Sequence, residues 1–313
     1  MNIFFKKIFL FALFAVCFLF TIAVVYTKVY NVSLRDIPPQ ISDSYSYNDK
    51  IMFALNKQSE IICLGSSMSL NNIYSPSVTE YFNSNSFLNL SSWGLNIKDI
   101  YFLLKAYSKK SRPSTLVIVS NLGDFNDVEK KVDYDLLDDL LDGKNIETAH
   151  LVHFKPKYYF TNIRFSKKAK SANNIYQSLR YDQYGSVPLF SDGFQVDSAR
   201  WYKRDYFRID STQYVYLDSI SRYCNSSDIK LLFFQSPFRQ GLYNTLDTAQ
   251  LQTLRWHDEE LSKMLGARKQ HFITSNNQYW NDSLFVDGIH LNSVGAKMFT
   301  DYCLQRIRVT DIN

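Results

Sequence analysis

Two ionisable side chains stand three residues apart near the carboxyl end of the chain, in FVDGIHLNSVGAK, residues 285–297. A carboxylate such as Asp287 can orient the imidazole of His290, and an oriented imidazole can take a proton from a serine hydroxyl. The same pair can also be an ordinary surface turn. It predicts acyl-transfer chemistry only if another part of the chain brings a serine to it.

Candidate serines follow the first buried run of the chain, in LGSSMS, residues 64–69. A hydroxyl between a strand and the next helix is lifted above the sheet edge, where backbone N–H groups can stabilise a developing anion. Gly-Ser turns after strands are common, however, and most are structural. This segment gains weight only from the other segments that reach the same edge.

Two further strand ends carry small or polar residues. LNLSSWG supplies Gly94, and VIVSNLGDFND supplies Asn121, Gly123, Asn126 and Asp127. Ligand and catalytic groups of open α/β sheets gather at the carboxyl ends of the strands. Four separated segments are therefore expected to meet at one edge of one sheet.

The elements that must position these residues alternate between strand and helix from Ser59 onward. The predicted strands are EIICLG, SFLNLS, STLVIVSN, IKLLFFQSP and HFITSN. The predicted helices are SPSVTEYFNS, NIKDIYFLLKAYSKK, DTAQLQTLRWHDEELSKMLG and SVGAKMFTDYCLQRI. The alternation predicts an α/β domain over residues 59–313, with a mostly parallel sheet covered on both faces.

An insertion is predicted at about residues 128–225, which are rich in Asp, Lys, Tyr and Arg and lack a run typical of a central strand. It contains DYDLLDDLLDGK, whose pattern suits a short acidic helix. The insertion is a candidate lid or substrate-recognition segment. A solvent-exposed insertion without a role in binding would explain this composition equally well.

The amino-terminal segment has the composition of a membrane anchor. Residues 8–26 are uncharged and almost wholly apolar, and a helix of that length spans the ~30 Å hydrocarbon core of a bilayer. Lys6 and Lys7 precede it, which favours a cytoplasmic amino terminus and an extracytoplasmic domain. The exit AVVYTK offers no good cleavage site for the rival, a signal peptide. We predict a cytoplasmic tip and signal anchor over 1–27 and a stalk over 28–58.

The charge, the cysteines and the histidines of the chain argue against several classes of protein. The net charge is +5, but Lys and Arg are spread along the chain, so we expect no nucleic-acid partner. The four cysteines show no CxxC spacing and are expected to be unpaired. The histidines lack a metal-ligand pattern, and no phosphate loop or dinucleotide-binding turn is present. We therefore expect neither a metal nor a cofactor.

Taken together, the motifs resemble the SGNH or GDSL-type hydrolases. GSS stands where that family has Gly-Asp-Ser, NLSSWG matches the glycine block, and DGIH followed by LNSVGAKMF matches the block Asp-x-x-His. The resemblance covers residues 59–127 and 229–306. It implies a flavodoxin-like, three-layer α/β/α fold preceded here by one transmembrane helix.

The resemblance also implies roles for individual residues. Ser67 corresponds to the nucleophile, His290 to the general base and Asp287 to the carboxylate that orients it. The family's aspartate in the first block is Ser66 here, so Ser66 and Ser69 remain lesser candidates for the attacking hydroxyl.

The oxyanion hole implied by the resemblance is formed by the backbone N–H groups of Ser67 and Gly94 and by an asparagine side chain. The third block, Gly-x-Asn-Asp in the family, does not align strictly with NLGDFND. Its position at the strand exit favours Asn121, while the Asn-Asp pair points to Asn126.

A membrane-anchored relative of this family is expected to be an extracytoplasmic serine esterase or O-acyltransferase acting on acyl, foremost acetyl, esters of cell-surface or exported glycans. A multispanning membrane acyl-donor protein is the expected partner, and Tyr202, Tyr206 and Phe207 are candidates for stacking on sugars. Two alternatives stay open. One is a lipase-like hydrolase of simple esters, and the other is a noncatalytic glycan-binding or polysaccharide-assembly subunit.

Overall fold

The computed structural model describes residues 2–30, 37–126, 132–143, 155–171, 180–190, 197–203, 207–276 and 278–312. Within these residues, five parallel strands form one sheet in the order β2-β1-β3-β4-β5. The strands are β1 Ile61–Cys63, β2 Phe87–Asn89, β3 Thr115–Ser120, β4 Lys230–Gln235 and β5 His271–Thr274. The predicted α/β class with a parallel sheet is confirmed, and each strand lies within its predicted run.

The helices alternate with these strands along the chain. Those before β3 are α1 Asn2–Tyr30, α2 Tyr45–Ala54, α3 Ser67–Asn72, α4 Ser75–Phe82 and α5 Ile97–Lys110. Those after β3 are α6 Tyr134–Leu141, α7 Pro156–Ser171, α8 Thr212–Ser226, α9 Gln240–Tyr243, α10 Thr248–Gly266 and α11 Ser293–Ile312. All four helices predicted in the domain are present, with bounds within two residues of those expected, except that α11 continues five residues further.

The sheet is covered on both faces, as the burial of every residue of β3 shows. Successive side chains of a strand point to opposite faces. Leu116 and Ile118 pack with apolar residues of α5, α6 and α8. Val117 and Val119 pack instead with residues of α3, α4 and α11. These two cores give the three-layer arrangement.

The segment that precedes β1 is part of the domain and not a stalk. Ile41, Tyr47, Ile51 and Ala54 are buried in the core that contains α5, and Ser42 forms an isolated antiparallel bridge with residue 132. The predicted stalk over 28–58 is therefore wrong from residue 37 onward. The apolar residues of this segment have helical spacing, but the Ser, Tyr and Asp residues between them obscure that pattern in the sequence.

The predicted insertion at 128–225 ends in a helix of the core layer. Leu217, Ile220 and Cys224 of α8 are buried against the sheet, and α8 leads directly into β4. It is thus the crossover helix between β3 and β4. The predicted acidic helix is present as α6, which buries four leucines. The role of the intervening residues as a lid stays a prediction.

Helix α1 is long and apolar enough to span a membrane. Its stretch Ile3–Val25 has a mean hydropathy of 3.0 over its most apolar window, of which only 6% is buried in the protein. An apolar helix so exposed lacks a protein core to pack against. Cys17 lies exposed on this helix, whereas Cys63, Cys224 and Cys303 are buried, and all four thiols are free.

Candidate active site

Ser67 is the first residue of α3, directly after the turn that follows β1. The hydroxyl of Ser66 accepts a hydrogen bond from the N–H of Met68 at 3.0 Å and so caps the helix. The N–H of Ser67 has no partner inside α3, since the first N–H groups of a helix have none. Among residues 61–73, only Ser67 is partly exposed to solvent.

The turn below Ser67 is held by the hydroxyl of Ser69. This oxygen lies 3.1 Å from the carbonyl of Leu64 and 2.8 Å from that of Val119, and it accepts the N–H of Val119 at 2.7 Å. A Cβ at Gly65 would lie 2.1 Å from it. Ser69 is therefore a buried link between β1 and β3, and neither it nor Ser66, the helix cap, is presented to solvent as a nucleophile must be.

Three predicted residues are brought together by the structure although Ser67 and His290 are 223 residues apart in the chain. His290 Nε2 lies 2.9 Å from Ser67 Oγ. His290 Nδ1 lies 2.7 Å from Asp287 Oδ2. The other carboxylate oxygen, Asp287 Oδ1, accepts the N–H groups of Ile289 at 2.8 Å and His290 at 2.7 Å. Asp287 thus fixes both the turn 287–290 and the imidazole plane.

The charge of Asp287 is maintained by these contacts. Burial raises the pKa of its carboxyl, but the charge and hydrogen bond of His290 and the two N–H groups outweigh burial and hold the pKa at about 2. An ionised Asp287 selects the tautomer of His290 that carries its proton on Nδ1. Nε2 is then the acceptor that faces the Ser67 hydroxyl.

Asn72 is a site residue that the sequence analysis missed. Its Oδ1 accepts the N–H of Leu291 at 2.9 Å, and its Nδ2 lies 3.3 Å from the carbonyl of Ile289. These two residues flank His290 on either side. Nδ2 also donates to Ser236 Oγ at 2.7 Å, at the end of β4. The only signal in the sequence was a pair of asparagines, LNN, directly after the candidate serines.

Asp124 is a second missed residue, in the block NLGDFND. It is buried beside the hydroxyls of Ser66 and Ser120, and burial raises its pKa to about 6 against the effect of those hydrogen bonds and of the charge of His290. A carboxylate therefore stands behind the helix cap. It occupies the surroundings of Ser66, the position where the resembling family carries its own aspartate.

Of the two asparagines predicted for the oxyanion hole, Asn121 lies next to α3. Its Oδ1 accepts the N–H of Gly123 at 2.9 Å, and its Nδ2 lies 3.2 Å from Met68 Sδ. Asn126 instead donates to the carbonyl of Gly123 at 2.5 Å. Its amide is thus engaged with its own turn. Asp127 lies outside the described residues.

Gly94 lies in an exposed turn with φ of +70°, a conformation that favours glycine. The ring of the preceding residue, Trp93, lies 5.7 Å from the ring of His290. The Gly94 turn is therefore beside the imidazole. Its predicted contribution to an oxyanion hole stays a prediction.

Part of the predicted insertion reaches the site. The N–H of Asp197 donates to the carbonyl of Val286 at 2.7 Å, next to Asp287.

Of the aromatic residues predicted to contact sugars, Tyr202 is more than half exposed, while Phe207 stacks on Phe238. Tyr206 lies outside the described residues, as do His150 and His153. Among the described residues, no cluster of His, Cys, Asp and Glu has the arrangement to hold a metal ion.

Comparison with known proteins shows distant similarity to solved structures. No family model matches the chain, and no curated protein matches it. Among solved structures, the chain is similar to the crystal structure of a provisionally assigned acylhydrolase from Bacteroides fragilis, with 12% sequence identity and a TM-score of 0.40. The similarity covers 83% of this chain and 93% of that one. The functional assignment of the present chain therefore rests on its own site.

Proposed function

We propose that this chain is a membrane-anchored serine esterase or O-acyltransferase of the SGNH type, which acts outside the cytoplasm on acyl esters of glycans. The observation that carries the proposal is the continuous path of hydrogen bonds from Ser67 through His290 to Asp287. The accessibility of Ser67 amid buried neighbours supports it.

The reaction follows from this geometry. As Ser67 Oγ attacks the carbonyl carbon of the ester, its proton passes to His290 Nε2. The positive charge that then forms on the imidazole is balanced by Asp287. Collapse of the tetrahedral intermediate expels the alcohol, which takes the proton back from His290, and leaves an acyl group on Ser67. Water or another hydroxyl group then accepts the acyl group by the same steps in reverse.

The developing oxyanion requires donors beside Ser67. The unpaired N–H of Ser67 at the start of α3 is one candidate, with the N–H of Gly94 and the Nδ2 of Asn121 as the others. Removal of one such donor typically costs 10²–10³-fold in kcat. Asn121 is favoured over Asn126 for this role because its Nδ2 contacts a residue of α3, Met68, whereas the Nδ2 of Asn126 bonds to Gly123 in its own turn.

The glycan substrate and the extracytoplasmic location rest on other support. Lys6 and Lys7 lie near the start of helix α1, before its uncharged stretch 8–26, which favours translocation of all that follows. Acetyl esters of cell-surface or exported glycans are substrates available on that side of a membrane. Acyl transfer from a multispanning membrane donor would use the same Ser67 intermediate.

Acyl release by the full chain in detergent tests the proposal. The substrates are an acetylated glycan and p-nitrophenyl esters from acetyl to lauroyl. We expect preferential release of acetate, and a loss of about 10³-fold or more in the Ser67→Ala variant, as for other serine triads. A preference for lauroyl esters would indicate a lipase-like enzyme. No turnover of any ester by folded protein would indicate a noncatalytic glycan-binding subunit.

A further inference from the structure

Arg239 is a buried arginine with unused hydrogen-bond donors. It follows β4, and its side chain is only 3% exposed. Nη1 forms an ion pair with Asp282 at 2.5 Å. Nε and Nη2 are fully enclosed, and neither has a hydrogen-bond partner among the described residues. Within the part of the chain that the structure describes, the guanidinium is therefore only partly satisfied.

The two unused donors form one edge of the guanidinium. The N–H bonds on Nε and Nη2 are nearly parallel, and this edge matches the two oxygens of a carboxylate or a phosphate. Asp282 contacts the guanidinium from Nη1 and leaves this edge free. A buried donor without a partner is destabilising, so an anion that binds both donors recovers that cost.

The backbone of Arg239 lies against the predicted catalytic turn. The backbone N–H of Arg239 donates to the carbonyl of Gly288 at 3.0 Å, between Asp287 and His290 in the chain. An added Cβ on Gly288 would lie 3.2 Å from the carbonyl oxygen of Trp201. The segment 197–203 thus packs closely over the turn that holds the triad histidine.

Two aromatic rings flank the guanidinium. Its central carbon, Cζ, lies 4.8 Å from the ring of Trp201 and 4.9 Å from the ring of Tyr202. Aromatic faces beside an arginine suit a ligand that carries both an apolar sugar face and a negative charge. Tyr202 is more than half exposed, so the ring on one side of the guanidinium lies at the protein surface.

We infer that Arg239, Trp201 and Tyr202 form a subsite for an acidic sugar residue of the glycan whose ester Ser67 attacks. The Nε and Nη2 edge binds a carboxylate or a phosphate of the glycan, and Tyr202 moves aside to admit it. This inference rests on the proposed function and adds the substrate class, an anionic glycan. The ion pair with Asp282 persists in the complex because it uses a different nitrogen.

Binding measured without turnover tests the subsite. The full-length Ser67→Ala protein in detergent is titrated calorimetrically with trigalacturonate, with a neutral galactose trisaccharide and with glucose 6-phosphate. We expect one anionic probe to bind at least about tenfold more tightly than the neutral probe, the scale of one charge-assisted pair. The preference should weaken as salt is raised. The anionic probe that binds identifies carboxylate or phosphate as the ligand.

Variants at the guanidinium show whether this edge is responsible. Arg239→Gln removes the edge and should abolish the preference. Arg239→Lys keeps the charge but lacks the paired donors, so it should lose most of the preference and serves where the Gln variant fails to fold. Asp282→Asn is the matched control, because it removes the ion pair and leaves the edge intact. It should retain the preference, and thermal melting reports the folding of each variant.

Equal affinity for the three probes, binding of none of them, or an unchanged preference in a folded Arg239 variant would overturn the subsite. None of these results depends on catalysis by Ser67. Acetate release by the wild-type chain together with equal probe affinities would therefore remove the subsite and leave the esterase proposal standing. Anion binding without acetate release would do the opposite.

Discussion

Ser67 and Asn72 lie at the two ends of one short helix, and both contact the segment that carries His290. Ser67 Oγ contacts the imidazole itself, while Asn72 bonds to the backbone of Ile289 and Leu291 on either side of it. Helix α3 therefore sets the distance between the predicted nucleophile and its base. A single rigid element holds two parts of the site that are distant in sequence.

Replacement of Asn72 by alanine should lower kcat by about 10–100-fold with little change in KM. The reason is that a mutation distant from the reacting atoms costs up to about 10²-fold in rate when it displaces a catalytic group by about 1 Å. Ester hydrolysis measured over a range of substrate concentrations separates the two constants. An Asn72→Ala enzyme with unchanged kcat would show that α3 does not position His290.

Asn71→Ala is the matched control for that variant. Asn71 is equally buried, but its Nδ2 donates to the carbonyl of Val187 at 2.8 Å and not to the turn 287–290. Its loss should cost similar folding stability, about 1–3 kcal/mol, with a smaller effect on kcat. Equal loss of kcat in both variants would indicate general damage to α3 and not a specific effect on His290.

Gly65→Ala should destabilise the fold by about 2–3 kcal/mol or abolish it. The new Cβ would meet Ser69 Oγ at 2.1 Å and the carbonyl of Val119 at 3.2 Å, and overpacking of this kind forces the backbone to shift. Urea unfolding provides the measurement. Gly266→Ala, at a helix end with no atom within 4 Å, is the control that should be neutral or slightly stabilising. Equal stability of the two variants would contradict the packing described for β1.

Acid should destabilise the fold through His257. Burial lowers the pKa of this imidazole to about 3, and its Nδ1 lies 2.6 Å from the hydroxyl of Tyr214. The unfolded chain takes up a proton near pH 6.5, whereas the folded chain does so only near pH 3. The free energy of unfolding therefore falls, by about 1.4 kcal/mol per pH unit, as the pH drops below 6.5.

His257→Asn provides the comparison, since its Oδ1 can still accept from Tyr214. Between pH 6.5 and pH 5, the wild type should lose about 2 kcal/mol more than this variant. Asp124 titrates with the opposite sign, but it is present in both proteins and its contribution cancels. Urea unfolding at the two pH values supplies the free energies. Parallel losses in the two proteins would show that His257 does not remain neutral in the folded state.

The sequence predicted the elements that depend on local pattern and missed those that depend on packing. The strands were found because their apolar runs are short and continuous. Ser67, His290 and Asp287, which the structure brings together, were singled out because their motifs are compact. Asn72 and Leu291 are 219 residues apart in the sequence, so no local sequence pattern predicts their contact. The sequence around Arg239 matches no motif, and only the burial of its side chain in the structure draws attention to the unused donors. The stalk was mispredicted because α2 mixes its apolar residues with Ser, Tyr and Asp.

The most direct measurement is labelling of the full-length protein by a fluorophosphonate, with the modified residue located by peptide mass spectrometry. The account predicts a single adduct on Ser67, none in Ser67→Ala, and labelling slowed by orders of magnitude in His290→Ala. An adduct on Ser66 or Ser69, or labelling that does not change when His290 is replaced, would contradict the triad on which the proposed function rests.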